Sequence, residues 1–190
     1  MLEDIYLEYM VKKKKTAGQT ALTALVCVLG VVLSFALLVF TFMISVSMQQ
    51  AGTAIGQIAS FIGLLLIAAV WYGVYLLITM QNIEYEYILT NSELDIDKVM
   101  SKKGRKHIIS IDFKNIVVCA PVEDNEHNND YRNIKADKVY NVVGDASRGS
   151  IYFVDVMGDN GTRTRILFQP TSKMITSAKK FNPRNIFAED

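Results

Sequence analysis

Residues 21–48, ALTALVCVLGVVLSFALLVFTFMISVSM, and residues 54–80, AIGQIASFIGLLLIAAVWYGVYLLITM, are separated only by Gln49-Gln50-Ala51-Gly52-Thr53. From Thr16 to Ile83 the chain carries no Asp, Glu, Lys, Arg or His, although the rest of its 190 residues is richly charged. Each stretch exceeds the ~20 residues needed to cross a hydrocarbon core of ~30 Å at ~1.5 Å per residue. The first holds sixteen Leu, Ile, Val or Phe residues. At the usual insertion energies these favour membrane entry by roughly 5–10 kcal/mol. The block is therefore read as a two-helix transmembrane hairpin over residues 16–82, with spans at about 21–48 and 54–80. A cleaved signal peptide is the competing reading of the first span. Its length, the acidic residues before it and the second span behind it all argue against cleavage.

Lysine and arginine placement sets the expected orientation. Lys12, Lys13, Lys14 and Lys15 precede the first span, and Lys98, Lys102, Lys103, Arg105 and Lys106 follow the second. The connecting loop has neither residue type. The positive-inside rule then puts both termini in the cytoplasm of a multi-pass plasma-membrane protein. Trp71, Tyr72 and Tyr75 lie toward the inner half of the second span, within reach of the interface. Gly52 and Gly56 form a G-x-x-x-G pattern that Ala59 and Gly63 extend. Small residues let helix backbones approach in lipid, so this face is expected to pack the spans together or to join a second copy. The spans lack ionisable groups, which argues against an ion pathway within a single copy.

The flanking segments differ in character. In residues 1–15, Leu2, Ile5, Tyr6, Tyr9 and Met10 recur at helical spacing, and the four lysines follow. This predicts a short amphipathic, basic helix that lies on the inner surface or docks on the domain beyond. From Glu84 to Asp190, sixteen Lys or Arg balance sixteen Asp or Glu. Nucleic-acid binding needs a clear basic excess and is not expected.

After Met80 the period becomes two. In Glu84-Tyr85-Glu86-Tyr87-Ile88-Leu89-Thr90, the tyrosines and Leu89 share one face and the glutamates the other, as in a half-buried strand. Further strands are expected at 94–100, 107–113, 116–120, 138–143, 151–157 and 163–169. Ser101–Lys106 is expected as a basic turn, Gly158-Asp159-Asn160-Gly161 as a hairpin turn, and Val122–Asp137 as a polar loop. An amphipathic helix over 172–181 closes the chain, capped by Thr171 or Ser172 and stopped by Pro183. Seven antiparallel strands and one closing helix predict a barrel in domain 83–190.

The stretch Glu84-Tyr-Glu-Tyr-Ile-Leu-Thr-Asn-Ser-Glu-Leu-Asp-Ile-Asp97 resembles the first hairpin of bacterial PH-like domains, in which a Tyr-x-x-Thr-Asn turn precedes the second strand just after membrane spans. The whole chain is similar to a family of small two-span membrane proteins of Gram-positive bacteria carrying such a domain, one of unknown function. The resemblance implies a pleckstrin-homology-like barrel plugged by its helix. It carries no catalytic residue. Eukaryotic phosphoinositide-binding PH domains place basic residues around the first hairpin loop, and here that loop is Asn91-Ser92-Glu93.

Chemical motifs are sparse. No P-loop, G-x-G-x-x-G, H-E-x-x-H or C-x-x-C occurs, so no cofactor or metal is expected. Cys27 and Cys119 suggest no disulfide framework. His107 and His127 lack companions at ligand spacing, and Asp95 and Asp97 read as a solvent-facing edge. No catalytic residue is assigned, and an enzyme is not expected. Lys12–Lys15 with Lys102, Lys103, Arg105 and Lys106 are the candidate contacts for anionic lipid. The expected role is an anchored interaction or scaffold module that meets the bilayer and a protein partner. The alternatives are a lipid or envelope-stress sensor and an accessory subunit of a larger membrane complex.

Overall fold

The computed structural model describes residues 4–50, 55–101, 104–124, 128–158 and 160–188. The chain divides into two compact units, Lys15–Asn82 and the remainder.

The first unit is the helix pair α1 (Ala17–Gln50) and α2 (Ile55–Met80). Both are long and apolar enough to cross a membrane, over Ala17–Met48 and Ser60–Met80. Phe35, Phe42, Phe61, Leu64 and Leu65 point outward with no protein cover. The two helices touch where side chains are small. A Cβ added at Gly63 would lie 2.5 Å from Thr41 Cγ2, and one at Gly30 would lie 3.0 Å from Val74 Cγ2. Ser60 Oγ donates to Ser45 Oγ at 3.0 Å, and Thr23 Oγ1 to Gln81 Oε1 at 3.0 Å. Such bonds satisfy polar groups that a hydrocarbon environment would leave bare.

The second unit carries two four-stranded sheets and two short helices. The first sheet has the order β1 (Tyr6–Lys12), β2 (Ile83–Thr90), β3 (Glu93–Met100), β4 (Gly104–Asp112), all antiparallel neighbours. The second contains β5 (Ile116–Pro121), β6 (Lys138–Asn141), β7 (Tyr152–Met157) and β8 (Arg163–Phe168). Its order is β5-β7-β8-β6, with β6 parallel to β8. A single-turn helix α3 (Asn128–Asn133) interrupts the stretch expected to be loop, and α4 (Ser172–Lys179) closes the domain, capped by Thr171 Oγ1.

Three expectations are corrected. The seven strands expected in 83–190 form and β1 adds an eighth from outside that range, but the eight make two sheets with β6 parallel to β8, so one closed antiparallel barrel of seven strands is not seen. The expected N-terminal helix is strand β1, so residues 6–12 belong to the β domain. Ile5, Leu7, Tyr9 and Val11 also alternate, and a segment of aromatic and β-branched residues extends readily. A helix this short is marginal alone, whereas β2 offers an open edge along seven register pairs, Tyr6↔Thr90 to Lys12↔Glu84. The expected basic turn ends early. Arg105 and Lys106 lie in β4, opposite Val99 and Lys98.

Two residues of the Tyr-x-x-Thr-Asn turn tie this arrangement together. Tyr87 is fully buried, packs edge-on against Phe168 at 5.9 Å, and faces Tyr9 across the β1–β2 ladder. Its hydroxyl donates to the Val142 carbonyl at 2.7 Å and accepts from the Gln169 amide at 3.3 Å. It therefore joins the first sheet to the chain flanking the second. Asn91 adopts a left-handed φ of 54°, which Asn tolerates better than most residues. Its side-chain oxygen accepts from the Ile5 amide at 3.0 Å, and its own amide donates to the Ile5 carbonyl at 2.8 Å. The turn after β2 thereby fixes the start of β1. The core of Tyr87, Leu89, Leu94, Ile96, Phe113, Ile166, Phe168, Ile175 and Ile186 fills the space between sheets and helix.

Two outcomes are expected on a soluble form in which a short Gly/Ser linker replaces residues 15–82. Tyr87→Phe strands a buried carbonyl and amide, so its urea midpoint should fall by the equivalent of about 1–3 kcal/mol. Residues 83–190 alone lack β1 and should lose at least about 3 kcal/mol from the exposed core and the missing ladder. Equal midpoints for the linked and truncated chains would show that β1 adds nothing to the domain.

Candidate functional site

Strand register gathers the basic residues at one end of the first sheet. Lys12 pairs with Glu84, Ile83 with Met100, and Met100 with Gly104. The Lys13 amide donates to the Ile83 carbonyl at 2.9 Å, so the chain leaves for α1 and returns from α2 at adjoining points. Lys12, Lys13, Lys14, Lys98, Arg105 and Lys106 lie at or near this end, and Lys15 begins the helix unit. Lys102 and Lys103 fall outside the described residues, as do Gly52 and His127. Gly56 lies in the first turn of α2, without described surroundings, and Gly63 faces Thr41.

The individual charges are not equivalent. Lys12 Nζ lies 3.8 Å from Glu84, and Lys14 Nζ 3.7 Å from Asp145. Both lysines are well exposed, and such loose pairs contribute little. Lys13, Lys15 and Lys106 are exposed without an ion pair among the described residues. Arg105 differs. Its Nη2 lies 2.8 Å from Glu86 Oε2 and donates to Oε1 at 3.1 Å, and its Nε is 3.9 Å from Asp97. It is engaged with the sheet.

Arg105 belongs to a polar chain that crosses the outer face of the first sheet. Tyr6 Oη donates to Glu8 at 3.2 Å. Glu8 shares this face with Glu86, which is buried in its middle. Burial pushes the Glu86 carboxyl above the usual carboxylate range, and the neighbouring Glu8 raises it further against the opposing pull of Arg105. Beyond Arg105, Asp97 Oδ1 lies 2.9 Å from His107 Nδ1, Ser110 Oγ lies 3.2 Å from His107 Nε2, and Ser110 donates to Asp95.

The order Ser110–His107–Asp97 mimics a nucleophile, base and orienting acid. Its hydrogen bonding does not. The Ser110 proton points at Asp95, so the hydroxyl offers His107 a lone pair rather than a proton. The site lies on a strand face where His107 is well exposed. The bulge between Ile96 and Asp97 is what aligns His107 with Asp97, and spacing alone gave no sign of it.

The second sheet holds a buried ion cluster that the sequence reading missed. Asp155 is fully buried and receives Arg165 through Nε and Nη2, both at 2.7 Å. Arg163 adds a third bond at 2.7 Å. The Arg165 guanidinium also stacks 5.1 Å from the Tyr131 and Phe153 rings and donates to the Tyr131 carbonyl. This fastens α3 to the sheet. Alternation of Arg163 and Arg165 opposite Asp155 is the only sequence signal, and it requires the β7–β8 register.

A cleft of about 300 Å³ opens beside β1, lined by Tyr9, Met10, Lys12, Arg148, Gln169 and Pro170 with their neighbours. Gln169 builds its far wall. Its Oε1 accepts from the Gly144 and Asp145 amides at 2.9 and 3.1 Å, and its Nε2 donates to the Asp145 carbonyl at 2.7 Å. Gly144 is needed here because a Cβ would lie 2.7 Å from the Lys12 carbonyl oxygen. Asp145 sits between Lys14 and Arg148, and two hydrogen bonds from Ser147 hold its carboxyl below the usual range.

No curated protein and no solved structure matches the chain. A family model does, over residues 3–188, and it carries the description Bacterial PH-like domain (DUF6106). That match begins before β1 and runs past α4, so it includes both long helices and both sheets. The chain belongs to the bacterial PH-like domain family DUF6106.

Proposed function

We propose that the protein is a membrane-anchored, non-catalytic interaction module, held at the inner leaflet by α1 and α2 and offering its β domain to a protein partner. The observation that carries this reading is the β1–β2 pairing. The apolar helices are inserted between two neighbouring strands of one sheet, so the chain exits and re-enters the domain at the Lys13–Ile83 hydrogen bond. A pair of spans inserted in this way returns the chain to the side from which it left. Together with the basic residues at the same end of the sheet, this supports cytoplasmic termini.

A partner has suitable surfaces to meet. The outer face of the first sheet carries Glu8, Glu84, Asp95 and Asp97 beside exposed Tyr6 and Met10. Strand β4 is an edge of its sheet, and edges accept added strands without catalytic groups. A second copy of the chain is a further partner class, through small residues of the helices. Sensing of anionic lipid is the alternative reading, favoured by the loosely paired lysines around Lys12 and Lys14.

Reporters fused to the two ends of the full chain should both be cytoplasmic. Reporters on opposite sides of the membrane would sink the anchoring scheme. Affinity capture from native membranes should recover a partner with the full chain that is lost when Asp95 and Asp97 are changed to Lys. If every reproducible partner survives that change and replacement of Glu123, Arg132, Asn133, Lys135 and Asp137, the interaction-module reading fails.

A further inference from the structure

The cleft between the end of β1 and the 144–149 loop joins three features. It has cations at its rim: Lys12, 76% exposed, and Arg148, 80% exposed, line it, and Lys14, 68% exposed, pairs with Asp145 of its wall. Their carboxylate neighbours are distant, at 3.8 Å for Lys12–Glu84, 3.7 Å for Lys14–Asp145 and 3.5 Å for Arg148–Asp145. Pairs this loose and wet exchange readily for a stronger anion. Second, apolar surface lies beside the charge, because Met10 and Tyr9 line the cleft and are partly exposed. Third, the cleft is tethered close to a long apolar helix. Only Lys13, Lys14, Lys15 and Thr16 separate Lys12 from Ala17, the first residue of α1, a reach of about 18 Å even at full extension.

The geometry points to this cleft as a binding site for the phosphate of an anionic phospholipid, with Lys12 and Arg148 as its ligands and Lys14 as a third cation steadied by Asp145. The inference rests on the reading that α1 and α2 cross the membrane. The tether and the apolar rim favour a lipid over a soluble phosphate. A soluble anion would gain nothing from Met10 and Tyr9, whereas a glycerophospholipid presents acyl-chain carbons next to its phosphate. The loop makes the site a built one. Gln169 clamps Gly144, Asp145 and Gly149, so Arg148 is carried on a fixed support rather than on a free turn.

The test uses the full-length protein in a non-ionic detergent, titrated with short-chain phosphatidylglycerol or phosphatidylcholine and read by native mass spectrometry. Phosphatidylglycerol adducts should exceed phosphatidylcholine adducts. Lys12→Gln with Arg148→Gln should weaken them about tenfold or more. Lys138→Gln with Lys173→Gln removes the same charge from exposed positions elsewhere and should leave them intact. Lys12→Arg with Arg148→Lys should retain most of the binding, which separates lost charge from lost folding. Equal adducts with both lipids, or equal adducts for the native chain and the Gln pair, overturn the site. Displacement of the lipid by matched concentrations of glycerol phosphate assigns the cleft to a soluble phosphate and overturns the lipid assignment. Carbonate extraction of native membranes is read separately. Release of the protein there would defeat the anchoring reading, while the adduct comparison in detergent decides the headgroup site alone.

Discussion

β1 and β2 are neighbours in one sheet, although both long helices lie between them in sequence. Everything else in the β domain depends on that pairing. Val11 and Tyr9 cover the core from β1, Asn91 fixes the start of the strand, and the chain beyond β1 continues to the Gly144 carbonyl. Joining strands so distant in sequence carries a closure cost that grows only slowly with loop length. The helices reduce it further. Once α1 and α2 pack through Gly30, Gly63 and the Ser45–Ser60 bond, the ends of the insertion are close together before the strands meet. β1 must then wait for β2, and the domain completes only after the second helix has been made. A high share of such non-local pairing is the arrangement that folds slowly.

The second constraint is concentrated in five residues. Tyr87 and Asn91 stand at the two ends of Tyr-Ile-Leu-Thr-Asn, and each reaches far from its own hairpin. Asn91 reaches back to Ile5, and Tyr87 reaches forward to Val142 and Gln169. A Phe at 87 keeps the ring contacts with Phe168 but leaves two buried backbone groups without a partner. An Ala at 91 loses both the left-handed preference and the bond to the Ile5 amide. A motif that reads locally as a turn is, in three dimensions, the junction between the first sheet, the N-terminal strand and the 142–149 chain.

The large-scale order was legible because it is written in hydropathy and period. The charge-free block fixes two long apolar helices, and the Glu84–Thr90 alternation fixes β2. The Thr171 cap and the Met174-Ile175-Ala178 stripe fix α4. What was not legible depends on pairing. Residues 5–11 satisfy both helical and alternating patterns, and only the presence of the β2 edge decides between them. Arg105 reads as part of a basic tip until its register beside Glu86 is known. Asp155 with Arg163 and Arg165 looks like ordinary strand polarity until burial makes it a cluster. The cleft needs Lys12, Arg148 and Gln169 from three distant segments, brought together by the Lys14–Gly144 and Gln169–Gly144 bonds.

The even balance of charge after Glu84 conceals a separation in space. Carboxylates collect on the outer face of the first sheet, where burial and the neighbouring Glu8 raise the Glu86 carboxyl above the usual range. Cations collect at the end from which the chain leaves for the helices. An anionic leaflet attracts a basic segment by on the order of 1 kcal/mol per Lys or Arg and repels an acidic face with the same distance dependence. On the proposed reading that α1 and α2 cross the membrane from an anionic inner leaflet, the two effects would add as a torque that favours the basic end toward the lipid. A tether alone would leave the domain free to tumble at the surface. Under that proposal, charge separation rather than the tether would set the pose of the domain.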